Sequence, residues 1–112
     1  MDNENIFIEA NKALADGNYE AFLDYCSEDI KWERVGDRTF DGKAALINYL
    51  STAYDGLIFT TENYIKAEDF LVELGQIVNE KDGVTKKSSY CDVWKFKQGL
   101  ISEFTSFVIS KA

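Results

Sequence analysis

Residues 90–101 read YCDVWKFKQGLI, and this stretch decides the fold because it joins two runs of β-formers through a Gln-Gly turn. Strict alternation before the turn places the side chain of Asp92 on the same face of a strand as Tyr90, Trp94 and Phe96. An ionised carboxylate among aromatic rings is costly unless it is paired, hydrogen-bonded or protonated. Asp92 is therefore the first candidate for a functional residue.

The rest of the chain predicts three helices and then a run of strands within one domain, residues 1–112. The predicted elements are a helix capped by Asp2 and ending at Gly17, a helix capped by Asn18 with Cys26 on its apolar face, a short strand over 30–35, a loop over 36–40, a helix capped by Asp41 from Lys43 to about Tyr54, and strands at about 57–66, 70–79, 84–97 and 100–110. Chain-adjacent strands joined by short turns pair antiparallel. The prediction is an α+β fold in which three helices cover one face of a curved antiparallel sheet.

Composition excludes several classes of function. The formal net charge of -8 disfavours nucleic-acid binding, because the chain would repel phosphate backbones. The mean hydropathy of -0.27 and the lack of a long apolar run argue against a membrane span. The acidic N-terminal residues lack the features of a secretion signal, so the expected location is the cytoplasm.

The absence of histidine removes the commonest catalytic base and most zinc sites. Cys26 and Cys91 lie far apart with no CxxC spacing, which is typical of reduced thiols packed as small hydrophobic groups. We therefore expect neither a metal nor a cofactor. Any acid-base chemistry falls to carboxylates, tyrosine or lysine.

Four short motifs carry a resemblance that spans nearly the whole chain. They are ALADGN (13–18), EDIKW (28–32), FDGK (40–43), and DVWKF (92–96) with GLI (99–101). In this order and spacing the chain resembles the nuclear transport factor 2-like superfamily, and within it the SnoaL-like and ketosteroid isomerase-like group. The resemblance implies a cone-shaped sheet around an apolar pocket for a small hydrophobic molecule. It also implies a homodimer formed through the sheets, with outer-face residues such as Cys91, Val93 and Ile101 or their alternates at the interface.

The same resemblance assigns roles to particular residues. Asp92 matches the family's oxyanion-binding aspartate, and Glu33 falls where ketosteroid isomerase-like enzymes have their carboxylate base. The helix-1 tyrosine of that group falls at about Ala10, so the oxyanion pair is incomplete. Tyr90, on the same strand face as Asp92, is the expected replacement donor. Limonene epoxide hydrolase-like proteins have an arginine at the place of Tyr90, and its absence argues against that chemistry.

Alternatives stay open for each of these residues. Asp92 is equally well interpreted as a buried structural carboxylate. Glu33 is a solvated residue if the opposite face of its strand, the face of Trp32, lines the pocket. The remaining candidates for ligand contact are aromatic, and each has an alternative interpretation as core; they are Trp32, Trp94, Tyr49, Tyr54 and Phe107.

Two functions are compatible with these residues. The first is a small-molecule enzyme of the isomerase or cyclase type, in which Glu33 moves a proton while Asp92 and Tyr90 stabilise an enolate oxygen. The second is a non-catalytic module for small-molecule binding or dimerisation. A shared substrate would require Glu33 and Asp92 to face one cavity.

Overall fold

Six strands form one curved mixed sheet, and three helices lie against one of its faces. The computed structural model describes residues 1–111. The helices are α1 (Asn3–Ala15), α2 (Tyr19–Asp24) and α3 (Lys43–Ala53), and the strands are β1 (Cys26–Arg34), β2 (Arg38–Asp41), β3 (Leu57–Ala67), β4 (Phe70–Lys81), β5 (Val84–Lys97) and β6 (Leu100–Ser110). The α+β cone predicted from the sequence is confirmed. Within residues 1–111, no helix is long and apolar enough to cross a membrane.

The first two helices begin where the sequence predicts, and α2 ends earlier than predicted, at Asp24. The side chain of Asp2 accepts a hydrogen bond from the backbone N–H of Asn5 at 2.8 Å, and Asn18 caps α2 through Ala21 in the same way. Gly17 has a φ of 75°, a conformation that costs little only for glycine. These caps let two short helices follow one another and bury their apolar stripes on the sheet.

The strand order across the sheet is β2-β1-β6-β5-β4-β3. All neighbours are antiparallel except β1 and β6, which run parallel. The sequence predicted an antiparallel sheet because its short turns join only chain-adjacent strands. The parallel pair joins segments separated by α3 and four strands, and no turn signals such a contact.

The structure corrects the sequence prediction in the segment before α3. Residues 38–41 form strand β2, where a loop was expected, and Asp41 pairs with Lys31 in that strand. The N-cap of α3 is Gly42, which offers no side-chain cap, so the prediction that Asp41 caps this helix is wrong. Cys26 is buried as expected, but it begins β1 instead of lying on α2.

The hairpin between β4 and β5 determines which residues lie opposite Asp92. Its turn, Asp82-Gly83, has φ angles of 54° and 77°, both positive as a type I′ turn requires. This two-residue turn pairs Lys81 with Val84, and eight residues further along each strand it places Glu73 directly opposite Asp92. Two carboxyl groups therefore lie side by side on the inner face of the sheet.

A β-bulge changes the inner face of β6. The register shifts by one residue near Ser102, whose hydroxyl donates to the carbonyl of Lys95 at 3.2 Å. Ile101 and Phe104 are consequently both buried, and Phe107 is 42% exposed on the outer face. The predictions that Phe107 lines the pocket and that Ile101 lies on the outer face are wrong for this reason.

Candidate active site

A cavity of about 1510 Å³ opens between the helices and the inner face of the sheet. Its wall includes six of the residues singled out from the sequence, namely Trp32, Tyr49, Tyr54, Tyr90, Asp92 and Trp94. Aromatic rings form the deep part, and charged side chains lie around the opening. The volume exceeds the roughly 300–1,000 Å³ of ordinary small-molecule pockets because it extends to this opening.

Glu33 does not belong to the cavity. It is exposed and pairs with Thr39 and Thr105 on the outer face, whereas its neighbours Trp32 and Arg34 line the cavity. Because side chains alternate along β1, Trp32 and Arg34 can face the cavity only if Glu33 faces the opposite side of the sheet. The expectation that Glu33 and Asp92 face one cavity is wrong, and the Trp32 face of the strand is the inner one.

The deep wall is built from aromatic rings in direct contact. The rings of Trp32 and Phe104 are stacked with centroids 3.8 Å apart, and Trp94 meets Phe104 edge-on at 4.8 Å. On the helical side, Tyr49 stacks on Phe40 at 4.4 Å. These contacts hold the rings in place, and the almost complete burial of Trp32, Trp94 and Phe104 makes them the apolar floor of the cavity.

The most buried acidic residue at the site is Glu73, which is 1% exposed and which the sequence analysis missed. Its Oε2 accepts hydrogen bonds from the hydroxyls of Thr61 and Tyr90, both at 2.6 Å, and from the amide of Asn11 at 3.3 Å. Its Oε1 accepts from the indole N–H of Trp94 at 3.1 Å. Four donors from α1, β3 and β5 therefore stabilise a negative charge on this carboxylate.

Tyr90 reaches Glu73 because Gly75 leaves room for it. A Cβ at Gly75 would collide with the ring and hydroxyl of Tyr90 and with the carbonyl of Thr60. Burial and then the charge of Glu73 raise the pKa of Tyr90. The single hydroxyl proton of Tyr90 is already donated to Glu73, so its predicted role as a free donor to a ligand is not supported by this geometry.

Asp92 differs from Glu73 in almost every respect. It is 8% exposed, and within the described chain its Oδ1 is buried with no hydrogen-bond partner. Burial raises the pKa of Asp92 well above its ordinary value, hydrogen bonding to Ser106 opposes this effect, and the charge of Glu73 adds to it. Because its pKa is raised, Asp92 keeps its proton at pH values where an ordinary aspartate is ionised.

Tyr54 lines the same cavity as Asp92, and among residues 1–111 its hydroxyl makes no side-chain hydrogen bond. It follows the last turn of α3, and its ring meets Trp32 and Phe59 edge-on at 6.3 and 6.0 Å. Burial and then the proximity of Asp92 raise the pKa of Tyr54, and no hydrogen bond contributes to that shift. The cavity therefore presents a carboxylic acid and a free phenol.

A sequence signal for Glu73 did exist. The Asp-Gly turn fixes the register of β4 against β5, and counting back from it places Glu73 opposite Asp92. Composition pointed the other way, because Phe70, Val72 and Leu74 make the outward set of β4 look like the core face. The turn was the better guide, since a register is fixed by geometry and hydrophobicity is only a tendency.

Neither a metal site nor a reactive thiol accompanies this arrangement. Residues 1–111 contain no cluster of three or more side chains suited to binding a metal ion. Burial raises the pKa of Cys26 to about 12, which keeps its thiol protonated.

Comparison with known proteins identifies the family. The model of the SnoaL-like domain matches residues 7–104. The search of curated proteins found no match.

Solved structures share the fold at low sequence identity. A nuclear transport factor 2-like protein of unknown function from Cytophaga hutchinsonii is 24% identical, with a TM-score of 0.80 over 95% of this chain and 98% of that one. A candidate SnoaL-like polyketide cyclase from Shewanella denitrificans is 15% identical, with a TM-score of 0.82 over 94% and 88%. TerC, co-crystallized with polyporic acid, is 17% identical, with a TM-score of 0.82 over 93% and 88%. The protein belongs to the SnoaL-like domain family, and it shares its fold with nuclear transport factor 2-like proteins.

Proposed function

We propose that this protein binds a small, largely hydrophobic molecule in the cavity and that Asp92 moves a proton to and from it. The observation that carries the proposal is a buried carboxylic acid on the cavity wall beside a carboxylate that is already fully hydrogen-bonded. A displaced pKa in a cavity is the usual mark of an acid-base group. The candidate cyclase among the structural neighbours and the polyporic acid bound by TerC are consistent with a cyclic ligand.

Asp92 is the one buried carboxyl group of the described cavity wall. The proposed reaction therefore belongs to a class that needs only one acid-base residue. In its ionised form Asp92 would take a proton from a carbon next to a carbonyl group, breaking a C–H bond. The neutral acid then returns the proton to another carbon or oxygen of the same molecule. The proton balance closes without a cofactor, as in an isomerisation or a ring closure. A raised pKa makes the carboxylate of Asp92 a stronger base than an ordinary aspartate.

Tyr54 has the position to assist this step. Negative charge would develop on the carbonyl oxygen of the ligand while the C–H bond breaks, and a phenol donor stabilises such charge. This assignment replaces Tyr90, whose proton is committed to Glu73 at 2.6 Å. It also supplies the hydroxyl that the resemblance places at Ala10, although from a different element.

Deuterium exchange of 2-tetralone in D₂O tests the proposal, because each exchange event breaks one C–H bond next to a carbonyl and needs no other reactant. We expect the protein to accelerate the exchange, followed by NMR. We expect Asp92→Asn to lose about 10²–10⁴-fold of that acceleration, the usual contribution of a general base. Tyr54→Phe should slow exchange less. Glu33→Gln is the matched control, since Glu33 is exposed on the outer face, and it should change nothing.

The same experiment separates catalysis from binding. The alternative function is a non-catalytic binding module, and it is favoured by the lack of a second buried base in the described cavity wall. If saturation-transfer NMR detects 2-tetralone in the cavity while exchange stays at the buffer rate, the module is the correct function. If exchange is equally fast in Asp92→Asn, the proposed role of Asp92 is wrong.

We also propose a homodimer formed through the outer face of the sheet. Leu74, Cys91 and Phe107 lie in one row across β4, β5 and β6. Leu74 is 40% and Phe107 42% exposed, and such an apolar row suits a partner surface. We expect sedimentation equilibrium at micromolar concentration to give twice the chain mass, and Phe107→Glu to give the chain mass. A monomer in the unmodified protein would contradict this.

A further inference from the structure

Positive charge is concentrated at the opening of the cavity, although the protein as a whole is acidic. The chain has 12 lysine and arginine residues and 20 acidic ones. Six of the basic residues line the cavity, namely Arg34, Arg38, Lys81, Lys86, Lys87 and Lys111. Only three acidic residues do so, and one of them is Asp92, which is held in its neutral form. If charged residues were distributed evenly over the protein, the cavity wall would contain more acidic than basic residues.

Arg34 is the basic residue that lies furthest inside. It is half-buried, and it pairs in register with Ser106, which is itself opposite Asp92. The three side chains therefore share one row of the inner face. In the described chain the ion pairs of arginine and lysine involve Arg38, Lys43, Lys66 and Lys95, and none involves Arg34. Asp37, in the turn of the same hairpin, contacts Arg38 at 3.5 Å.

A half-buried guanidinium group without a counter-ion loses hydration that nothing replaces. Arg34 presents a planar set of N–H donors that matches a carboxylate in two parallel hydrogen bonds. The exposed lysines around it attract an anion over a longer range. We propose that the ligand of this cavity is an organic anion whose carboxylate binds Arg34 while its ring system lies against the partly exposed rings of Tyr49 and Tyr54.

The row geometry gives the size of that ligand. Arg34 on β1 and Asp92 on β5 are separated by one strand, and neighbouring strands lie about 4.8 Å apart, so roughly 10 Å separates their backbones. A molecule of one or two fused rings fits that spacing, with a carboxylate at one end and a carbonyl or hydroxyl oxygen at the other. This inference rests on the proposed function, because it places that oxygen at Asp92 and Tyr54.

Two fluorescent probes of matched shape test the inference: 6-hydroxy-2-naphthoate, which is an anion, and 6-hydroxy-2-naphthamide, which is neutral. At low ionic strength we expect the naphthoate to bind at least about tenfold tighter than the amide, a modest value for a charge-assisted bidentate contact. Arg34→Gln should remove this preference and leave the Kd of the amide within a factor of about three. Lys31→Gln is the matched control, since it removes the same charge from the outer face of the same strand.

The outcomes separate this inference from the proposed function. If both probes bind equally well to the unmodified protein, or if Lys31→Gln removes the preference as fully as Arg34→Gln, the anion anchor at Arg34 is wrong. The proposed function still stands in that case provided that Asp92→Leu weakens both probes. If Asp92→Leu leaves both unchanged while Arg34→Gln removes the preference, the anion anchor is correct and the role of Asp92 is wrong. If neither probe binds at millimolar concentration, both are wrong.

Discussion

Replacing Glu73 with leucine is expected to lower the free energy of unfolding by about 2–6 kcal/mol. The substitution strands the hydroxyl of Tyr90 and the indole N–H of Trp94, which donate to Glu73 at 2.6 and 3.1 Å and are buried. Each buried donor left without an acceptor costs about 1–3 kcal/mol. Thr61 and Asn11, the other two donors, are half-buried and recover part of their loss by hydration. A domain of this size has only about 5–15 kcal/mol in total, so the variant should be close to unfolding.

Urea denaturation at one pH measures this effect. Glu80→Leu is the matched control, because Glu80 lies on the same strand but is exposed, and it should change the free energy by no more than about 0.5 kcal/mol. Adding Tyr90→Phe to Glu73→Leu should recover part of the loss, since it removes one stranded donor. A loss below about 1 kcal/mol for Glu73→Leu would mean that the four hydrogen bonds do not hold the carboxylate.

Asp92→Asn is expected to stabilise the protein, and increasingly so as pH rises. The pKa of Asp92 is raised in the folded state above its ordinary value of 3.8, mainly by burial. Between the unfolded and the folded pKa, the folded state holds a proton that the unfolded state has released. In the unmodified protein, the contribution of Asp92 to the free energy of unfolding therefore falls by about 1.4 kcal/mol per pH unit through that window. It levels off above the folded pKa. Asparagine does not titrate, so the free energy of unfolding of the Asp92→Asn variant does not fall in this way.

Denaturation of both proteins at a series of pH values from 4 upward gives the comparison. Near pH 4 the two free energies should be close, and the variant should become the more stable protein at pH 6. Groups that face Asp92 titrate little in this window, because Tyr54 and Tyr90 have raised pKa values and Glu73 is common to both proteins. A variant that is less stable than the unmodified protein at pH 6 would identify Asp92 as an ionised structural carboxylate.

The sequence predicted the elements of this fold well because their signals are local. Caps at Asp2 and Asn18 and a two-residue turn at Asp82 each act within a few residues, so the bounds of α1, α2 and the last three strands could be placed closely. The parallel contact of β1 with β6 and the short β2 depend on pairing between distant segments. No local sequence signal near β1 or β2 identifies the strand with which each one pairs.

The site was predicted less well, because its residues depend on which face of each strand turns inward. Asp92, Trp94 and Tyr90 were placed correctly by alternation within one strand. Phe107 was misplaced because one extra residue in β6 reverses the alternation after Ile101. Glu33 was placed by resemblance alone, and the register of β1 puts it outside. Glu73 was missed because its strand is more apolar on the outward side.

The central claim is that Asp92 is a protonated acid on the wall of the cavity, next to Glu73, whose carboxyl oxygens accept four hydrogen bonds. Carbon-13 NMR of aspartate-labelled protein measures this directly, with the carboxyl signal of Asp92 assigned by its absence from Asp92→Asn. The account predicts that this one signal titrates at markedly higher pH than the ordinary aspartate value of 3.8. A signal for Asp92 that titrates near that ordinary value would contradict the account.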